Sequence, residues 1–192
     1  MRRSLVLTAV LASVLWMPFP AQAAGVVQVQ DFSFSPTPVT VPQGMSVSWH
    51  NNGPSNHTST SDIGLWTTTT LTPGTTSTAE VFKAAGVYAY HCAIHSFMHG
   101  TVRVPIKVSP ASGGPGTVFM ITVAAGSRAH WSFDVQKKAG AGLWKIWKTG
   151  VTSLSVPFRR ASPGTWRFRS RLHRNGSTLR TGWSPSKVIT IS

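Results

Sequence analysis

Cys92-Ala93-Ile94-His95-Ser96-Phe97-Met98 sets a thiol, an imidazole and a thioether at three-residue intervals. Such soft and borderline donors hold a transition metal rather than a hard, oxygen-seeking cation. Tyr88, Tyr90 and Cys92 alternate with other residues, so Cys92 is expected at the end of a strand, and Gly100 with Val102 and Val104 opens the next one. His95 and Met98 then occupy a tight loop that folds back over the sulfur. A loop this short cannot surround an ion, so another ligand must come from elsewhere in the chain. The candidate is His57, which closes the polar turn Asn51-Asn52-Gly53-Pro54-Ser55-Asn56-His57 after the Val47/Trp49 strand.

A thiolate, two imidazoles and a weak thioether suit copper, which such a site must hold as both Cu(I) and Cu(II). Zinc would accept the His and Cys ligands but gains little from a thioether, and its structural sites usually use two or more cysteines. Taken singly, each residue reads more simply as core filler or a satisfied histidine. Together, with strands on both sides, the four read as the ligand set of a blue-copper electron-transfer centre. Other chemistries lack the residues they need. The 192-residue chain has only Asp31, Asp62, Glu80 and Asp134 against 18 Lys and Arg, a net charge of +14. Paired-carboxylate hydrolysis and carboxylate-rich Mg or Ca sites therefore have little to draw on. The lone Cys92 excludes an intrachain disulfide framework.

The elements that must position these residues read as β throughout. Val27, Val29, Phe32 and Phe34, then Val39 and Val41, then Met45, Val47 and Trp49 are short runs spaced two apart, punctuated by Pro36, Pro38, Pro42 and Gly44. Trp131, Phe133 and Val135 continue this pattern in the second half, as do Trp166, Phe168 and Leu172 between arginines. No long segment has helical spacing and caps. Residues 1–23 read as a secretory signal peptide: Arg2 and Arg3, an apolar run from Leu5 to Trp16, and the small-residue cleavage pattern Ala21-Gln22-Ala23. The twin Arg hints only weakly at the folded-protein export route, and the apolar run is short for a membrane span. Export to the periplasm, the cell surface or the medium is expected.

Residues 109–116, Ser-Pro-Ala-Ser-Gly-Gly-Pro-Gly, read as a linker between a module at 24–108 and a basic one at 117–192. Charge divides the same way. Residues 24–110 carry Lys83, Arg103 and Lys107 against Asp31, Asp62 and Glu80, a balance of zero. Residues 111–192 carry thirteen basic residues against Asp134 alone, or +12.

The run from Tyr88 to Val102, with Asp31-Phe32-Ser33-Phe34-Ser35-Pro36 and the stretch from Gly44 to His57, resembles the plastocyanin, amicyanin and pseudoazurin branch of the cupredoxins. The resemblance covers about residues 26–108, and the short ligand loop is most similar to that of amicyanin-like proteins. It implies a Greek-key β-sandwich, one type 1 copper ion and one-electron shuttling. By position it assigns His57, Cys92 and His95 as equatorial ligands and Met98 as the axial one. It further implies that the backbone amide of Thr58 bonds the cysteine sulfur, and that the edge of His95, between Ile94 and Phe97, is the electron port. The family loop often has Pro where this chain has Ile94, which bears on loop stiffness and potential rather than on the ligands.

An enzymatic alternative rests on His91. A histidine beside the type 1 cysteine holds a second, catalytic copper in copper nitrite reductases, but alternation puts His91 on the strand face opposite Cys92. The His-x-His pairs of multicopper oxidases do not occur. Copper storage or delivery is a further alternative, disfavoured by so few ligands in so rigid a loop. His50, His99, His130 and His173 read as solvated.

Residues 117–192 weakly resemble a fibronectin type III-like or other immunoglobulin-like sandwich, through Gly164-Thr165-Trp166-Arg167-Phe168-Arg169-Ser170-Arg171-Leu172 and Gly182-Trp183-Ser184-Pro185-Ser186. The expectation is an all-β chain of two sandwiches in tandem. Arg167, Arg169 and Arg171 share one strand face about 7 Å apart. That stripe is either a solvated face or a patch for a polyanion. For an exported monomer the partners would be redox proteins, an anionic cell-envelope polymer or a membrane surface, and not nucleic acid.

Overall fold

The structure, a computed structural model, describes residues 23–192. Of the expected signal segment, residues 1–23, all but Ala23 lies outside the described residues. Eight strands build the N-terminal half: β1 (Ala23–Gln30), β2 (Ser33–Ser35), β3 (Val39–Thr40), β4 (Met45–Asn51), β5 (Thr60–Ser61), β6 (Glu80–Phe82), β7 (Gly86–His91) and β8 (His99–Val104). They form two four-stranded sheets, in the orders β2-β1-β4-β6 and β3-β8-β7-β5. The alternation read in the sequence is what buries Val27, Val29, Val47 and Trp49 of one sheet against Tyr88, Tyr90, Val102 and Val104 of the other. Parallel pairing of β1 with β4 and of β3 with β8 ties the start of the chain into both sheets.

The C-terminal half adds β9 (Lys107–Ser109), β10 (Ser112–Gly113), β11 (Val118–Thr122), β12 (Trp131–Ala139), β13 (Lys145–Val151), β14 (Ser155–Arg159), β15 (Gly164–Arg174) and β16 (Lys187–Ile191). These make a five-stranded sheet, β10-β16-β15-β12-β13, and a three-stranded one, β14-β11-β9. Phe119, Ile121, Phe133, Val135, Phe158, Phe168 and Ile189 are buried between them. Among the described residues there is no α-helix, so the chain is all-β.

The Gly/Pro/Ser stretch 109–116 differs from the open spacer its composition implies. Ser109 pairs with Met120, and Ser112 and Gly113 pair in parallel with Thr190 and Ile191. Small residues let this segment lie along sheet edges, where backbone pairing outweighs the flexibility that glycine would otherwise confer. The two halves also meet through backbone bonds, Val87 with Gly182 in both directions at 2.9 and 2.8 Å and Ala85 N to Val123 O at 2.8 Å. At this seam a Cβ on Gly86 would stand 2.6 Å from the Thr181 hydroxyl, so only glycine permits the approach. One apolar cluster runs without a break from Val27 through Tyr88 and Phe119 to Phe168.

Candidate metal centre

Two loops at one end of the N-terminal sandwich carry the chemistry. The first follows β4. Asn51 is fully buried, and its side-chain amide donates to Ser55 O and Leu71 O, both at 2.8 Å, while its carbonyl oxygen accepts from Gly53 N at 2.9 Å. This folds residues 51–57 into a closed turn. Reciprocal backbone bonds between His57 and Leu71 at 3.1 and 2.8 Å then fix His57 at its exit. The second loop runs from Cys92 to Met98 between β7 and β8. Cys92 N donates to Met98 O and Met98 N to His95 O, both at 3.0 Å, so the loop closes on itself. Gly100, just beyond it, lies so close under the Tyr90 ring that no Cβ fits there.

These constraints bring His57 Nδ1 and His95 Nδ1 to 3.2 Å from each other and to 3.9 and 3.7 Å from Cys92 Sγ. Among the described residues this is the one group of three His, Cys, Asp or Glu side chains whose ligand atoms lie within 4.8 Å of one another. His57, Cys92 and Met98 are buried, and His95 is partly exposed. The Thr58 amide donates to Cys92 Sγ at 3.4 Å, and the Thr58 hydroxyl accepts from Ala93 N at 2.8 Å, stitching the two loops together. Burial by itself would raise the Cys92 thiol. The Thr58 amide, the His57 ring and the His95 and Ile94 amides outweigh it and bring the pKa down to about 6, so the sulfur is readily a thiolate.

Asp31 was not singled out from the sequence. Its Oδ1 lies 2.7 Å from His57 Nε2. A carboxylate only accepts, so the Nε2–H donates and Nδ1 of the neutral ring carries the free lone pair. The Ser55 hydroxyl donates to Asp31 Oδ2 at 2.5 Å. That bond first, and the one to His57 second, hold the Asp31 carboxyl below the usual carboxylate range. A carboxylate that orients a ligating imidazole and raises its basicity is a regular partner of metal sites. The signal available in the sequence was the scarcity of acids, with one of the four opening the Asp31-Phe32-Ser33-Phe34-Ser35-Pro36 run.

A trigonal set with metal–nitrogen bonds of about 2.0 Å and a metal–sulfur bond of about 2.3 Å has donor separations of about 3.5 and 3.7 Å. The three donors here match that spacing within a few tenths of an ångström, and two imidazole nitrogens and a sulfur brought this close together suit a shared cation. Two imidazoles and a thiolate with a buried thioether nearby in the chain fit one copper ion, whereas hard cations prefer oxygen.

Around the His95 edge, Phe97 is 67% exposed, and Ile94 and Phe32 are about half exposed. Phe32 packs edge-on against His95 at 4.8 Å and Phe97 at 5.6 Å between ring centroids, so the rim is apolar. His91 lies away from this group, with Nδ1 2.6 Å from Asp62 Oδ1 and its ring 6.4 Å from that of exposed His99. His50 bonds Thr76, and His173 stands 3.2 Å from Asp134.

The arginine stripe on β15 is divided by its neighbours. Arg171 donates to Asp134 Oδ2 at 2.9 Å and lies over the Trp183 ring at 4.3 Å. Arg169 donates to Gln136 at 2.8 Å and lies over Trp144 at 4.3 Å and Trp183 at 5.3 Å. Arg167 is exposed. Trp and Arg thus alternate in a ladder on the outer face of the five-stranded sheet, a cation–π arrangement that occupies two of the three guanidiniums. On the inner side Lys137 sits over Trp147, Phe158 and Trp166 at 5.0 to 5.4 Å. Burial, then Arg160 and Lys148, push its pKa below the ordinary lysine range.

The fold and this donor set define a cupredoxin. The cupredoxin-like domain family matches residues 4–104, just over half of the chain, and the chain belongs to that family. Among solved structures it is similar to a purple cupredoxin from Nitrosopumilus maritimus, at 26% identity and a TM-score of 0.40 over 42% of this chain and 98% of that one. An amicyanin variant in its oxidized state is similar at 27% identity and a TM-score of 0.41, over 44% of this chain and 85% of that one. No curated protein matches the sequence.

Proposed function

We propose that this protein is an exported electron carrier that passes single electrons between partner proteins through one type 1 copper site, which His57, Cys92, His95 and Met98 would hold. The observation that carries the reading is the convergence of His57 Nδ1, Cys92 Sγ and His95 Nδ1 within 3.2 to 3.9 Å on a rigid β frame. Bound copper supplies a Cu(I)/Cu(II) couple. The chain's own residues do the rest. Asn51 and the closed Cys92–Met98 loop hold the donors in place, so that little rearranges when the charge changes. The Thr58 amide directs a positive dipole at the sulfur, and Asp31 keeps the His57 ring oriented. Phe32, Ile94 and Phe97 make the rim apolar, while the His95 edge remains within reach of a docked partner. No bond is made or broken and no proton moves. One electron enters from a reduced partner and leaves to an oxidised one.

Burial of His57 and Cys92 favours this over copper delivery, which needs exposed, exchangeable ligands. The basic C-terminal half serves association with the cell envelope or a partner, and the N-terminal segment serves export. Visible and EPR spectroscopy of the Cu(II)-loaded protein tests the assignment. An intense blue or purple thiolate band with one copper per chain is expected, and the Cys92→Ser variant should lack it. Colourless wild-type protein, or colour retained in Cys92→Ser, overturns the proposal.

A further inference from the structure

The β12–β13 hairpin carries a feature that the arginine ladder does not account for. Its apex, residues 140–144, is held by Gly140 N to Thr165 O and Gly142 N to Ala139 O, both at 2.8 Å. From this fixed turn Leu143 projects into solvent at 84% exposure, and Ile146, one step down the edge strand, is 52% exposed. Cations occupy both faces of the hairpin below this apex. Lys145 pairs with Lys137 on the inner-facing side, Lys138 pairs with exposed Arg167 across the β12–β15 ladder on the outer side that Ile146 shares, and Lys148 is exposed farther along β13. Trp144, half-buried beneath Lys138 and Arg169, anchors the apex on the sheet. No acid offsets this charge. Asp134, the one acid of residues 111–192, is engaged by Arg171 and His173 at 2.9 and 3.2 Å.

Lysines on an edge strand guard it against pairing with another chain, which explains Lys145 and Lys148 by themselves. It does not explain an exposed leucine at the tip, which costs solubility and fills no part of the core. An exposed apolar tip with cations on both faces of its hairpin is a surface that an anionic bilayer complements: aliphatic groups reach the acyl boundary while lysines and arginines meet the headgroups. A soluble polyanion would use the cations and leave Leu143 idle.

We propose that the hairpin apex docks the protein on an anionic membrane surface, with Leu143 and Ile146 entering the interface and Lys138, Lys145, Lys148 and Arg167 contacting lipid phosphates. This deepens, and rests on, the reading of the C-terminal half as an association module. The test is sedimentation of the copper-loaded full chain with phosphatidylcholine vesicles, with and without phosphatidylglycerol, recording the visible spectrum of the same samples. Binding to the phosphatidylglycerol vesicles alone, weakening steeply with salt, is expected. Leu143→Asp should weaken it by about tenfold or more, the loss of one buried leucine. Lys145→Gln should weaken it by about fivefold. Leu143 is exposed, so these variants should keep the wild-type spectrum and far-UV dichroism. Absent vesicle binding overturns the membrane inference, and so does vesicle binding indifferent to Leu143→Asp. So too does polyphosphate that binds as tightly as the vesicles and with no dependence on Leu143, which would make the partner a polymer. A wild-type sample without the thiolate band overturns the carrier assignment instead, whatever the vesicles show.

Discussion

In the N-terminal sandwich, polar side chains are buried for position: Asn51, His57 and Thr58 converge with Cys92 at one end of a half whose formal charges cancel. In the C-terminal sandwich, at +12, cations are laid over indole and phenyl faces along the sheet, and charge is tolerated rather than focused. A site that fixes a metal needs a few donors with no freedom, so each is bonded to backbone or to another buried group. A surface that meets a large, diffuse partner needs net charge and exposed contact area, and cation–π stacking holds long side chains in place without neutralising them.

The contrast would break first if the two halves unfolded separately. Phe168 is fully buried against Phe158 and Trp147, far in sequence from the copper ligands. Phe168→Ala should cost about 3–5 kcal/mol. Because the apolar cluster is continuous, loss of thiolate colour and loss of β dichroism should move down in temperature together. Two transitions with the colour unmoved would show independent halves. Within the N-terminal half, Asp31→Ala removes the acceptor that orients His57, and copper affinity should fall by about 10–100-fold, measured by competition with a chelator. Unchanged affinity would mean that the backbone bonds to Leu71 suffice to hold the ring.

Phe97→Asp places a charge on the apolar rim and should slow electron exchange with a redox partner several-fold while leaving the spectrum intact. Equal exchange rates would move the port away from His95. The smallest effect belongs to the seam. Glu80 lies 4.0 Å from Arg128, and burial raises its pKa, with Arg128 and then Lys83 opposing. The folded state therefore holds the Glu80 proton more tightly than the unfolded chain. Stability from this group is present at low pH and is lost as pH rises from the ordinary glutamate value through the raised one. Glu80→Gln should flatten that part of the stability–pH profile from acid to neutral, measured by denaturant titration. An unchanged profile would mean that Arg128 fully offsets the burial.

Much of the candidate site was legible because its parts are local. Cys92, His95 and Met98 lie within seven residues, and alternation in the flanking strands fixed which side chains face inward. Asp31 was not legible as a partner of His57, since 26 residues and a sheet crossing separate them. The Arg169–Trp144 and Arg171–Trp183 contacts were hidden in the same way: the stripe was readable on β15, but the rings that cover it arrive from the β12–β13 turn and from residue 183. The stretch 109–116 has spacer composition, and only the positions of β11 and β16 show what its backbone bonds to.

Residue type and short-range spacing by themselves determined the strand pattern, the donor set, the metal that set prefers and the imbalance of charge, because these depend on side-chain chemistry and on a two-residue period. The tertiary structure decided which carboxylate orients His57, which arginines are held by tryptophan, and which apolar side chains remain outside at the hairpin apex. Those outcomes depend on distances between segments far apart in the chain, which arise only when the sheets pack.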